Sequence, residues 1–236
     1  MKSEIEFRSD MDVELLDHMG SDYTIAGAAW VSNYGAQEET DIKRVPGLIN
    51  FLMRDRHGTP FEHNSITFRI SAPLFVFYEF HRHRVGWSYN EESARYRELD
   101  PVFYVPRADR ALRQVGSPGK YEFTPGSEDQ QLVTGTTHKY VARETWAMYQ
   151  FMLEDGVARE VARNVLPVSI YKTMYATTNM RALMSFLSLR MNHPQETVPT
   201  FPLREIAMVA EKLDELVRPL FPLTMEAFDR NGRVGP

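Results

Sequence analysis

Ile66, Phe68 and Ile70 alternate with Thr67, Arg69 and Ser71, a period of two that predicts a half-buried strand, and Ile5 with Phe7 points to another near the start. Elsewhere the apolar spacing is helical. Ser21 stands where a helix through about Val31 wants its N-cap, and Pro46 opens a helix carrying Leu48, Ile49, Phe51, Leu52 and Met53 to an end near Gly58. Pro73 to Phe80 is largely apolar behind a proline suited to a first turn, so it reads as a buried helix. Between residues 106 and 130, Gly116, Pro118, Gly119, Pro125 and Gly126 interrupt a stretch with few aliphatics, which predicts a long surface excursion rather than a domain linker. From about Ser127 to Gly156, Leu132, Tyr140, Trp146, Tyr149, Met152 and Leu153 recur at helical spacing, with Gly135 and nearby threonines working against the first turns. Asn179 is placed to cap a helix bearing Arg181, Ala182, Leu183, Met184, Phe186, Leu187 and Leu189. Pro202 opens an amphipathic helix with Leu203, Ile206, Ala210, Leu213, Leu216, Val217 and Leu220 on its apolar side, as core or subunit interface. These elements predict an α+β fold: a single mixed domain over residues 1–236, with a small antiparallel or mixed sheet packed by long helices.

Composition narrows the function classes. A chain of 236 residues, 43% of them hydrophobic, suits one compact domain with a substantial core, and a net charge of −5 argues against a general nucleic-acid binder. No apolar stretch approaches the roughly 20 residues that span a bilayer, and Met1-Lys2-Ser3-Glu4-Ile5-Glu6 has no apolar signal region, so the expectation is a cytoplasmic protein with no membrane partner. Cysteine is absent, which removes disulfides, thiolate metal sites and a Cys nucleophile together.

Candidate chemistry concentrates in residues 82–96. Arg82, His83 and Arg84 precede Gly86 and are followed by Ser93, Arg95 and Tyr96, so cations, hydroxyls and the backbone amides of Gly86 and Ala94 converge on a short stretch able to hold an anion such as phosphate. The helix ending at Phe80 would deliver the three basic residues rigidly. The same residues also suit a solvated face of ion pairs, or a nucleotide- or RNA-binding module stacking bases on Tyr78, Trp87, Tyr89 and Tyr96, although the acidic net charge and lack of a basic face disfavour the latter. A metal site among His57, Glu62, His63, His81 and His83 is not expected. Pro60 interrupts the first pair, and His81 and His83 would point about 200 degrees apart on a helix. Ser93 has no evident base beside it and reads as a ligand rather than a nucleophile.

Arg82-His83-Arg84, an eight-residue spacer from Val85 to Glu92, then Ser93, Ala94, Arg95 and Tyr96 resemble the signature of the flavin-dependent thymidylate synthases, the ThyX family. His57 to His63, Ala162 to Pro167, and Asn179 to Met184 continuing through Leu187 to Arg190 resemble further family blocks in family order, and the resemblance runs from about Val13 to the end. It implies a ThyX-like fold and reductive methylation at C5 of a uridine monophosphate, dUMP to dTMP, or UMP in some relatives from nucleoside-antibiotic pathways. Methylenetetrahydrofolate would give the carbon, NADPH the reducing equivalents, and bound FAD the hydride. It implies a homotetramer with active sites built from several subunits. By resemblance, Ser32, His57, Thr59, Glu62, Arg82, His83, Arg84, Asn179, Arg181 and Ser185 contact the flavin. Glu79, Arg82, Glu92, Ser93, Ala94, Arg95, Arg163, Leu189 and Arg190 contact the nucleotide, with Arg190 catalytic. No Gly-x-Gly-x-x-Gly fingerprint occurs, so side-chain cations must bind the flavin phosphates. Ala94 stands where glycine is common in the family, Ser185 where Asn or His is common, and Trp30 where many relatives have Arg. Helix geometry adds one expectation of its own. Arg181 and Arg190 are nine residues apart, near 900 degrees at about 100 degrees per residue, and so should face different partners.

Overall fold

The computed structural model describes residues 4–35, 41–117 and 120–236. Met1 to Ser3 of the expected non-signal start, and Pro118 and Gly119 of the expected excursion, lie outside the described residues. In chain order the elements are β1 (Glu6–Arg8), β2 (Asp12–Met19), α1 (Asp22–Tyr34), α2 (Val45–Arg54), β3 (Ser65–Pro73), α3 (Leu74–Phe80), β4 (Trp87–Glu91), β5 (Val102–Tyr104), β6 (Arg113–Ser117), β7 (Lys120–Thr124), α4 (Glu128–Glu154), α5 (Arg159–Ala162), β8 (Tyr171–Thr178), α6 (Met180–Arg190), α7 (Arg204–Val217) and α8 (Pro222–Arg230). The fold is α+β, as the patterning predicts. A four-stranded sheet has the order β2-β3-β8-β4, β1 pairs in parallel with β5, and β6 pairs antiparallel with β7.

Several elements follow directly from the pattern. In β3 the alternating Ile66, Phe68, Ile70 and Ala72 are buried, and α3 buries Val76, Phe77 and Phe80. Others depart from it for local reasons. Helix α2 stops at Arg54, short of Gly58, because Arg56 takes a left-handed φ of 63° and Pro60 starts a separate 3-10 turn over Thr59–Glu62. Helix α4 is continuous from Glu128 despite Gly135, held at its start by a capping box in which the Ser127 hydroxyl accepts from Gln130 N–H at 3.2 Å and the Gln130 side chain accepts from Ser127 N–H at 2.9 Å. Along it Ala142 and Tyr149 are buried and Trp146, Met152 and Leu153 half-buried, while Leu132 is 69% and Tyr140 62% exposed. The surface excursion at 106–130 also holds the β6-β7 hairpin, paired from Arg113↔Thr124 to Ser117↔Lys120. Both faces of β6 are exposed, so no hydrophobic alternation announces it. The helix expected from Pro202 begins at Arg204 and ends at Val217, leaving Leu203 and Leu220 outside it. Pro222 then opens α8 at a position where a missing N–H costs nothing.

The chain divides into two compact units. One comprises residues up to Met11, Ser71–Phe80 and Glu91–Thr173. Its core joins Ala94, Leu99, Phe103, Ala142 and Ile170, with Trp146 edge-on to Phe103 at 6.1 Å. The other comprises Asp12–Ile70, His81–Asn90 and Met174–Pro236. There α2 packs on α8 and α1, and α7 packs on α6 and β2, burying Met184, Phe186, Leu187, Ile206, Leu213 and Phe228 completely. The apolar side of α7 is therefore core rather than subunit surface. Buried Asp22 accepts from Leu223 N–H at 2.8 Å, Thr224 N–H at 3.0 Å and the Thr224 hydroxyl at 2.6 Å, placing a carboxylate at the positive end of α8.

Candidate active site

In the second unit the site is assembled at the start of α6. The Asn179 side chain accepts from Ala182 N–H at 2.9 Å, as an N-cap should, and buried Asn64 accepts from Met180 N–H at 2.8 Å while donating to the Phe61 carbonyl at 2.9 Å. That amide ties the turn at Thr59–Glu62 to α6. Gly86 has φ 71°, and a Cβ there would fall 2.7 Å from Ala182 Cβ, so glycine lets the turn after Arg84 lie on the first turn of α6. The Thr178 hydroxyl holds it by donating to the Gly86 carbonyl at 2.9 Å. A cavity of about 590 Å³ opens here, lined by Glu62, Asn179, Arg181, Ser185 and Leu189 of the expected site residues, together with Val85, Gly86, Ala182, Ser188 and Val234 to Pro236. Arg181 crosses it, bonding Glu62 through one terminal nitrogen at 2.5 Å and the Pro236 carbonyl through Nε at 3.0 Å. Gly58 makes that course possible, because a Cβ there would overlap the guanidinium.

On the other side of α6, Arg190 Nε donates to His83 Nε2 at 3.0 Å, so the two arginines do face different partners. The His83 ring packs edge-on to Phe186 with centroids 4.8 Å apart. Burial, with the Arg190 charge second, pushes the His83 imidazole down to about 4, which leaves it neutral and able to accept that bond at neutral pH. Trp87 stacks on Tyr89 at 5.7 Å, and the Tyr89 hydroxyl, raised well above its usual range by burial, donates to the His83 carbonyl at 2.9 Å. Ser32 on α1, His57, Thr59, Arg82 and Arg84 are exposed and do not line the cavity. His57 stacks on Phe51 at 5.4 Å. Helix α3 ends at Phe80, as expected, and Arg82 to Arg84 follow it on a turn over residues 81–86 that is built on Gly86.

In the first unit, Ala94 and Arg163 line a cavity of about 320 Å³ with Tyr78, Leu99, Asn164 and Lys172. The Ser93 hydroxyl accepts from Arg95 N–H at 3.3 Å, and its carbonyl accepts from Tyr96 N–H at 3.0 Å, a tight turn that presents successive amides. Arg95 pairs with Glu160 at 3.0 Å with both side chains about half exposed, an ion pair worth about 0–1 kcal/mol and readily exchanged for an anion. Glu92 pairs with Arg97 at 2.9 Å, and Glu79 is half-buried on α3. Sequence reasoning missed Lys172, which is 9% exposed and paired with Glu91 at 2.9 Å, along with Asn164 and the segment at Val234 to Pro236. Nothing in the sequence singled out Lys172, because the strand that buries it, β8, has no clear hydrophobic alternation. Among the described residues no three His, Asp or Glu side chains come together as a metal site would need, and no helix is long and apolar enough to cross a membrane.

The sequence model of the family described as Thymidylate synthase complementing protein matches residues 14–223. The chain belongs to that family. Among relatives, it is 57% identical to the flavin-dependent thymidylate synthase of Streptomyces avermitilis over 234 residues, covering 98% of this chain and 95% of that protein. It is 38% identical to the flavin-dependent thymidylate synthase of Thermotoga neapolitana over 217 residues, covering 92% and 89%. Its fold matches the crystal structure of the UMP/dUMP methylase PolB from Streptomyces cacaoi bound with 5-Br UMP at a TM-score of 0.91 and 48% identity, covering 98% and 99% of the two chains. The same protein bound with 5-Br dUMP matches at a TM-score of 0.92 and 49% identity, covering 98% and 100%. The architecture of the thymidylate synthase complementing protein family thus extends over nearly the whole chain.

Proposed function

We propose that this chain is a flavin-dependent methyltransferase converting dUMP to dTMP, with FAD as the flavin, methylenetetrahydrofolate as carbon donor and NADPH as reductant, acting as a cytoplasmic homotetramer. The observation that carries this is the gathering of Glu62, Asn179, Arg181, Ser185 and Leu189 around one cavity in a chain 57% identical to a flavin-dependent thymidylate synthase. The donor set fits a flavin. Apolar walls from Val85, Ala182, Leu189, Val234 and Pro236 suit a flat ring system, while Arg181, the Asn179 amide and the Ser185 hydroxyl suit its polar edges and phosphates. When bound, the flavin supplies the two electrons that take the transferred carbon from the methylene to the methyl level, and NADPH restores them.

The protein's own task is to make C5 of the uracil nucleophilic without a thiolate adding at C6, since it has no cysteine. Arg190 suits that task. Its Nε–H is committed to neutral His83, which fixes the plane of the guanidinium, and a preorganised cation stabilises negative charge developing on the uracil carbonyls. Ser93, the Ala94 amide, Arg95 and Arg163 hold the nucleotide phosphate. UMP is the second substrate reading, favoured by the 48–49% identity to PolB, a UMP/dUMP methylase. Reconstitution with excess FAD followed by desalting tests the cofactor: stoichiometric flavin absorbance is expected, with release in an Arg181→Ala protein, which loses the cation that crosses the cavity. Absence of flavin from the unaltered protein defeats the proposal.

A further inference from the structure

The segment after α8 enters the cavity of the second unit without carrying any residue that family resemblance points to. Its anchor is Arg233, 3% exposed, which bonds Asp214 at 2.7 Å and Asp229 at 2.5 Å, while Arg218 bonds the same two carboxylates at 2.5 and 2.8 Å. Burial raises the Asp229 carboxyl, and the hydrogen bonds from Arg218 and Arg233 overcome this and hold it below its usual range. Beyond the anchor, Gly235 N–H donates to the Ser188 hydroxyl at 3.2 Å, the Gly235 carbonyl accepts from Arg56 at 2.8 Å, and the Pro236 carbonyl accepts from Arg181 Nε at 3.0 Å. A Cβ on Gly235 would lie 3.1 Å from the Ser185 amide nitrogen, so the chain is pressed against α6 at an expected flavin contact.

Backbone conformation points the same way. Arg56, at φ 63°, and Arg233, at φ 52°, are the non-glycine residues with left-handed backbone among those described, and both hold this segment. Such strain persists where surrounding contacts over-determine it, and it concentrates at ligand clamps. The segment is thus fixed by a buried ion cluster at one end and by two arginines at the other. The face between them, Val234 to Pro236, lines the cavity.

We propose that Val234 to Pro236 form a wall of the flavin site and contact the bound cofactor, with Arg233 as the positioning residue that sets the wall. This rests on the flavin assignment above. FAD carries an anionic diphosphate, so a charge placed on the wall, within the roughly 10 Å over which charges act at 0.1 M salt, must alter its affinity by sign. The test compares FAD dissociation constants, read by flavin fluorescence, for the unaltered chain, a chain ending at Arg233, Val234→Asp and Val234→Lys, with circular dichroism as the check of folding. The shortened chain retains the Arg233 ion cluster and is expected to bind FAD at least about tenfold more weakly. Val234→Asp is expected to bind at least about tenfold more weakly than Val234→Lys, whereas a merely structural role moves both alike. Affinity of the shortened chain within twofold of the unaltered one, or equal affinities for the two charges, overturns the proposal. Should the shortened chain fail to fold, the Val234 pair decides. If the unaltered chain binds no FAD, the flavin assignment itself falls, an outcome distinct from intact binding that ignores the wall.

Discussion

Unfolded histidine titrates near 6.5, but burial and then the Arg190 charge bring His83 down to about 4 in the folded protein. The unfolded chain therefore takes up this proton at the higher pH. Stability from His83 is full above about 6.5 and is lost as pH falls from there toward about 4. An NMR titration is expected to place the His83 midpoint near 4, and Arg190→Leu to raise it while leaving it below 6.5, because burial is the larger cause. A midpoint at 6.5 in the unaltered protein would contradict the geometry. Asn179→Ala should cost about 1 kcal/mol in urea denaturation while Asn179→Asp retains the cap. The cap and the opposed faces of Arg181 and Arg190 were legible in the sequence because both depend on local spacing. The partner of Arg190 was not, since His83 lies 107 residues away and nothing in either segment encodes the meeting.

Elements with one buried face and strong periodicity, such as β3, α3 and α6, could be read from their patterns. Those completed by neighbours could not. Strand β5 has only three residues and exists by pairing with β1, and β8 carries buried Lys172 and Thr178 that break its alternation. Helix α4 was legible from its spacing alone, although most of its apolar side chains stay exposed. The β6-β7 hairpin depends on Gly116, where φ is 97° and a Cβ would overlap the Lys120 carbonyl. Gly116→Ala is expected to speed amide exchange across residues 113–124, while global stability changes by no more than about 0.5 kcal/mol because β6 is exposed throughout. A loss of global stability above about 1 kcal/mol would show that the hairpin is packed rather than exposed.

At the scale of the whole molecule, stability leans on the cluster of Arg218, Arg233, Asp214 and Asp229. Asp214→Ala leaves Arg233, only 3% exposed, short of one of its two carboxylates and should cost about 3 kcal/mol in denaturant unfolding; a loss below about 1 kcal/mol would mean the cluster is not what holds Arg233. The proposed homotetramer predicts a sedimentation mass near four times 27.3 kDa, and the exposed Leu132 and Phe151 of α4 make that helix, rather than α7, the place where an added charge should weaken assembly. A monomer with full activity would refute the assembly. The central claim, that Arg190 held by His83 drives C5 methylation of a uridine monophosphate, is tested most directly by turnover with methylenetetrahydrofolate and NADPH, using dUMP and UMP in parallel. The FAD-loaded protein should methylate dUMP with the higher kcat/KM, and Arg190→Lys should keep FAD yet lose about two orders of magnitude in methylation, the scale of removing one oriented donor. Near-normal turnover in Arg190→Lys, or no methylation of either nucleotide by the unaltered FAD-loaded protein, would contradict it.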